Sequence, residues 1–246
     1  MGLFPLAAAL VSGVFSASLI RQFARHHGPH QFAWGTALAT FAAASLLASN
    51  GMMFGWSPPL FRAYYLFGAL VNVPILALGT VYLYLPRRVG HQIAVVVGLA
   101  SAYAAFAVLS ADLVEGPLRV SGSIPMGSQV MEPSVRALSR YYSYVGFLIV
   151  VAGAVWSALK LARKPGERFK RLAQGNWLIA AGTAVVALGS AFARQGQGSV
   201  FAVGLAVGVT IMYLGFLRTS NPAARRPGGV AESPGAVAVT NGSSKT

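Results

Sequence analysis

Seven runs of mostly apolar residues, separated by short polar stretches, dominate this sequence. A helix needs about 20 such residues to cross the hydrocarbon core of a bilayer. The runs lie at 3–20, 31–49, 62–85, 91–110, 141–161, 177–194 and 199–217. Only 10% of the residues are charged, whereas soluble domains carry about a quarter. The sequence therefore predicts an all-α integral membrane protein, in which residues 1–218 form one seven-transmembrane-helix bundle.

The basic residues are distributed unequally between the two sides defined by alternate helices. Of the 19 Lys and Arg residues, fourteen fall on one side and five on the other. Because cytoplasmic loops carry the excess of Lys and Arg, the N-terminus is predicted outside and the C-terminus in the cytoplasm. Arg21 and Arg25 follow the first apolar run and no basic residue precedes it, so a retained helix is expected and not a signal peptide. An Arg-, Ala- and Gly-rich chain of this kind suggests the plasma membrane of a bacterium.

Composition argues against several classes of function. The net charge of +14 would favour nucleic acid if it formed one basic face, but the bases lie in loops between apolar runs, so no nucleic acid is expected. Without cysteine there is no thiolate metal site and no nucleophilic thiol. No ionisable residue lies near the centre of any apolar run, which argues against proton relays, and the last run has no lysine for retinal. No catalytic motif is visible, so an enzyme is not favoured.

The third apolar run carries the strongest intramembrane polar feature, "ALVNVPILALG". Its proline should kink the helix, and a buried amide beside a kink could line a polar cavity. The alternative is that the amide bonds to a neighbouring helix as a packing contact. Similar stretches, "RAYYLFG" at 62–68 and "RYYSYVG" at 140–146, place tyrosines at the start of the third and fifth runs. The candidate ligand-binding residues are Asn72, Pro74, Tyr65, Tyr103 and Tyr142.

The loop at 111–140 is the longest connection between predicted helices. Its apolar part, "SGSIPMGSQVM", is predicted to fold back over the bundle as a lid, with a plain connecting loop as the alternative. Arginines and carboxylates cluster around it, which predicts ion pairs that hold the loop in place. These residues are Arg62, Arg136, Arg140, Asp112, Glu115 and Glu132.

The predicted cytoplasmic side carries two basic features. Clustered imidazoles are weak candidates for metal or haem ligands, and the alternative is a basic loop that contacts lipid headgroups. These imidazoles belong to His26, His27, His30 and His91. A second loop should bind anionic headgroups through Arg163, Lys164, Arg168, Lys170 and Arg171.

The last two runs contain small residues that favour close helix packing, and homodimerisation through the seventh helix is an open alternative. They are Gly182, Ala184, Gly189, Gly204 and Gly208. Residues 219–246 are rich in Pro, Gly and Ser, so a disordered cytoplasmic tail is expected.

These features predict a membrane protein without visible catalytic chemistry. The favoured function is binding of a small or lipophilic ligand, or of a membrane protein partner, in a sensory or accessory role. One alternative is a carrier or channel for a small neutral or lipophilic substrate. The other is an intramembrane enzyme that uses the histidines with a metal or haem; no cofactor is otherwise predicted.

Overall fold

The computed structural model describes residues 2–119, 123–194 and 198–220. Its seven long helices are α1 (Leu3–His26), α2 (Pro29–Phe54), α3 (Pro58–Tyr84), α4 (Arg87–Ser110), α5 (Pro133–Ala162), α6 (Glu167–Arg194) and α7 (Gly198–Ser220). All seven are long and apolar enough to cross a membrane, which confirms the prediction of a helical chain with seven helices suited to span a bilayer.

Two helices begin well before the predicted apolar runs. Helix α5 begins at Pro133 instead of 141, because proline is well suited to the first turn and the helix continues through the polar residues that follow. Helix α6 begins at Glu167 instead of 177, so much of the predicted basic loop is helical. Helix α7 runs on to Ser220, and the rest of the predicted tail, 221–246, lies outside the described residues.

Six of the helices form a closed ring. Following the contacts around it, the order is α1, α2, α3, α5, α6 and α7, and α7 returns to α1. Helix α4 lies outside this ring and packs against α3 and α5. Only 11% of the most apolar stretch of α4 is buried, against 28–44% of the corresponding stretch in the other six helices. Apolar side chains therefore cover the free surface of α4.

Helices α6 and α7 pack through glycines. A Cβ atom added at Gly182 would lie 2.6 Å from the carbonyl oxygen of Gly208, and one at Gly208 would lie 2.8 Å from that of Gly182. Gly175 faces Gly215, and Gly189 faces Gly204, in the same way. The close packing expected from the small residues is thus present within one chain. Gly204 and Gly208 of α7 both face α6.

Helix α3 contains a π-helical turn at Leu66–Val71. The turn lies immediately before Asn72, and the carbonyl of Leu70, which Pro74 cannot bond, falls within it. Such turns are rare and occur mostly as single turns inside α-helices, frequently at functional sites. The backbone irregularity expected at Pro74 therefore takes the form of a π-helical turn on its N-terminal side.

Candidate functional site

A cavity of about 600 Å³ occupies the interior of the helical ring. Its walls come from α2, α3, α5, α6 and α7, and residues 124–128 of the loop before α5 close one end. We call this the loop end; it is the end at which α3 and α5 begin. The volume falls within the range of about 300–1,000 Å³ found for sites that hold small ligands.

Apolar side chains line most of the cavity. They come from α2, α3, α5 and α7, and comprise Leu38, Phe41, Leu76, Phe147, Val150, Leu205, Val209 and Met212. A chamber with this lining favours an apolar molecule or the apolar part of an amphiphile, because each buried methylene contributes about 0.8 kcal/mol on transfer from water.

Polar groups converge on the cavity from α3 and α5. The Tyr65 hydroxyl lies 3.0 Å from Ser139 Oγ, and Ser139 in turn donates to the Arg136 carbonyl at 3.0 Å. Ser143 lies further along the same face of α5 and donates to the carbonyl of Ala69, in the π-helical turn, at 3.4 Å. Two serines on α5 thus contact α3, one at the residue before the π-helical turn and the other within it.

Two arginines also line the cavity, Arg136 and Arg140 of α5. The Nε atom of Arg136 is buried and has no hydrogen-bond partner among the described residues. No aspartate or glutamate is among the lining residues. Within the described ranges, the only ion pair shorter than 4 Å joins Lys170 to Glu167, at the other end of the bundle. The polar part of the cavity is therefore positively charged and lacks a carboxylate.

The loop end is closed by the segment that was expected to form a lid. Trp56 Nε1 donates to the carbonyl of Ser123 at 2.9 Å, and the backbone N–H of Val114 donates to the carbonyl of Val130 at 3.1 Å. Ile124 is 8% exposed. At Gly127 the loop approaches Tyr65 so closely that an added Cβ would lie 2.7 Å from the ring. The loop covers the cavity directly above the polar groups.

The structure brings together only some of the five candidate ligand residues. Tyr65 and the 7% exposed Asn72 line the cavity. Pro74 belongs to the same helix but is not among the lining residues. Tyr103 is 61% exposed on the free face of α4, because that helix lies outside the ring. Tyr142 donates to the carbonyl of Ala100 at 3.1 Å and so joins α5 to α4.

The arginines predicted to form ion pairs have other surroundings. Arg62 Nη1 donates to the carbonyls of Val108 and Leu109, each at 2.6 Å. These carbonyls belong to the last turn of α4, where backbone acceptors lack helical partners and favour a cation. Arg62 thus caps the C-terminal end of α4 and does not pair with a carboxylate.

The carboxylates of the loop accept hydrogen bonds from neutral groups. Glu132 accepts from the backbone N–H of Asp112 at 3.0 Å and from the Ser134 hydroxyl at 3.3 Å. Asp112 and Glu115 are exposed. The prediction of ion pairs is therefore wrong for the described residues: Glu132 accepts from a backbone N–H and a hydroxyl, and no arginine pairs with it.

The histidines lie at the end opposite the loop end and do not gather. His91 Nδ1 lies 2.9 Å from the Tyr82 hydroxyl, and His30 packs edge-on against Trp34 with the ring centroids 5.4 Å apart. His27 contacts the ring of Phe23. Nowhere in the described part of the chain do three His, Asp or Glu side chains come close enough to hold a metal ion together.

The basic residues predicted to contact lipid are all exposed at the α5–α6 connection, namely Arg163, Lys164, Arg168, Lys170 and Arg171. Lys170 pairs with Glu167 at 2.8 Å, and Lys164 Nζ lies 5.2 Å from the ring centroid of Phe169. This surface is available to anionic headgroups.

The site residues that the sequence analysis missed are Ser139 and Ser143. Their signal was present: with Arg136 and Arg140 they recur at intervals of three and four, which places them on one face of a helix. Known proteins offer no further guide, since no family model, curated protein or solved structure matches this chain.

Proposed function

We propose that this chain is a membrane-embedded binding protein for a small or lipophilic ligand, and that it acts in a sensory or accessory role. The observation that supports this is the cavity of about 600 Å³ inside the helical ring. It combines an extensive apolar lining with a few convergent polar groups, the combination found in sites for small molecules. Among the described residues that line it there is no Asp, Glu, His or Lys.

The proposed orientation places the N-terminus and the loop end outside the cell and the C-terminus in the cytoplasm of a bacterial plasma membrane. The asymmetry of Lys and Arg supports it. Arg87, Arg88 and the bases of the α5–α6 connection lie at the end opposite the lid, where anionic cytoplasmic headgroups would attract them. The cavity then lies nearest the outer surface at its polar end.

A carrier for a small or lipophilic substrate is the second candidate. It is favoured by the π-helical turn and Pro74 in α3, the helix that carries Tyr65 and Asn72 along the cavity wall. Carriers commonly place irregular helices at their substrate sites. A carrier and a binding protein would share this cavity but differ in whether the ligand crosses the membrane.

The test is native mass spectrometry of the full chain released from lipid nanodiscs to which hexadecanol or hexadecyl phosphate has been added. A retained probe is detected as the added mass of the protein–probe complex. Ala187 lines the cavity, so Ala187→Phe should obstruct it and reduce probe retention. The adjacent Leu188 is 62% exposed on the outer surface, so Leu188→Phe is the matched control and should retain the probes. If neither probe is retained by the unaltered chain, or if both variants behave alike, the cavity is not a binding site. Probe flux in proteoliposomes would then separate a carrier from a binding protein.

A further inference from the structure

The two arginines in the cavity are not explained by binding of a neutral lipophilic ligand. Resting on the proposed function, we infer that the ligand is an anionic amphiphile with a single chain. Its carboxylate or phosphate head would lie against Arg136 and Arg140, and its chain would lie along the apolar walls.

Arg136 supplies the strongest observation. Its Nε is buried without a hydrogen-bond partner among the described residues, in a lining that contains no carboxylate. Arg136 as a whole is partly exposed, but a guanidinium nitrogen that is buried without a partner is costly, and more so in a protein surrounded by hydrocarbon. Nearly all buried polar groups have a hydrogen-bond partner, so Arg136 Nε is expected to have one. An anion in the cavity would supply it.

The groups around Arg136 suit the head of an amphiphile. A guanidinium presents a planar fork of N–H donors that matches a carboxylate or a phosphate. Arg140 follows one helical turn later and also lines the cavity. The Tyr65–Ser139 pair adds hydroxyl groups that can donate to the same head.

The remainder of the cavity suits a chain. Beyond the arginines the walls become apolar, through Phe41 and Leu76 to Val209 and Met212. A small inorganic anion would leave this part of the 600 Å³ unfilled. A neutral lipid would fill it but would leave Arg136 without a partner. Only a molecule with both parts satisfies both regions.

The experiment compares three probes that differ in one part each: hexadecyl phosphate, hexadecanol and inorganic phosphate. Binding to the full chain in phosphatidylcholine nanodiscs is measured by scintillation proximity at pH 8. Hexadecyl phosphate should bind about tenfold or more tightly than hexadecanol, the effect expected of a charge-assisted hydrogen bond. Arg136→Gln and Arg140→Gln should each reduce that preference. Arg168→Gln, which removes an exposed base at the opposite end, should leave it unchanged.

The outcomes separate this inference from the proposed function. If hexadecyl phosphate and hexadecanol bind with equal affinity, and Arg136→Gln changes neither affinity, the ligand is not anionic. The cavity would then still be a site for lipophilic molecules. If neither binds, the proposed function fails as well. Inorganic phosphate that competes at the same concentration as hexadecyl phosphate would show a small-anion site and overturn the role of the chain. Palmitate, added as a competitor of hexadecyl phosphate, distinguishes the two kinds of head group. If palmitate competes and its competition depends on Arg136, the ligand has a carboxylate head. If palmitate does not compete although hexadecyl phosphate binds tightly, the ligand has a phosphate head.

A stability measurement guards against a trivial loss of fold. Because Arg136 Nε has no hydrogen-bond partner among the described residues, Arg136→Gln should not lower the Tm of protein measured without added probe. Hexadecyl phosphate should raise the Tm of the unaltered chain and raise that of Arg136→Gln less. A large drop in the Tm of Arg136→Gln without added probe would make the arginine structural and overturn the inference.

Discussion

Substituting Gly182 by alanine should destabilise the protein, although alanine is the better helix former. The added Cβ would lie 2.6 Å from the Gly208 carbonyl oxygen and 2.8 Å from the Met212 backbone nitrogen. Ordinary contact begins at 3.4 Å, so α6 and α7 must separate by roughly 0.8 Å, the difference between 3.4 and 2.6 Å. Neither obstacle is the end of a flexible side chain, so the backbones themselves must move.

The magnitude follows from two opposing terms. Overpacking of a close contact costs typically about 1–3 kcal/mol, and replacing glycine in a helix by alanine returns about 0.5–1 kcal/mol. We therefore expect Gly182→Ala to lose about 1 kcal/mol, within the range of about 0–2.5 kcal/mol that these terms allow. Gly98, on α4, is the matched control because a Cβ there meets nothing within 4 Å. Gly98→Ala should gain the helix-propensity term alone.

The assay is thermal unfolding of the purified chain in detergent micelles, followed by circular dichroism. At about 2–4 °C per kcal/mol for a chain of this size, Gly182→Ala should melt several degrees below Gly98→Ala. Gly208→Ala should resemble Gly182→Ala, since its Cβ would lie 2.8 Å from the Gly182 carbonyl oxygen. Equal melting temperatures for Gly182→Ala and Gly98→Ala would refute the conclusion that the two backbones are in contact.

Three further predictions concern the connections between helices. Arg62→Met should cost about 1.5–3 kcal/mol, the range for hydrogen bonds from a charged group, and should speed amide exchange in the last turn of α4; unchanged exchange would show that Arg62 does not cap α4. Glu167→Gln removes an exposed ion pair, so the Tm should stay unchanged, and a shift of several degrees would indicate a partner beyond Lys170. For orientation, a membrane-impermeant maleimide should label Glu115→Cys in intact cells and Lys164→Cys only after permeabilisation, since the chain has no cysteine of its own; the reverse pattern would invert the proposed topology.

The seven long helices could be predicted from the sequence, because each apolar run is about as long as a helix must be to cross the hydrocarbon core of a bilayer. Asn72 and Tyr65 could be placed at a cavity because a polar group in an apolar helix needs an interior environment. The position of α4 could not be predicted. The apolar run of α4 resembles the other six, and no residue in it indicates that α3 and α5 pack directly against each other and leave α4 outside the ring. Tyr103 was misplaced for this reason, and the acceptors of Arg62 were missed because the last-turn carbonyls of α4 carry no side-chain signature.

The π-helical turn determines which face of α3 lies in the cavity. Its hydrogen bonds span five residues instead of four, so it uses one residue more than an α-helical turn to cover the same angle. Each residue of an α-helix advances the chain by about 100° around its axis. If Leu66–Val71 tightened to α-helical geometry with no residue removed, everything after it would rotate by about that angle relative to Tyr65. Asn72 and Leu76 would leave the chamber, and the face of α3 now turned away would enter it. A change in the hydrogen bonding of one helical turn, with no change in sequence, would therefore give this cavity a different wall.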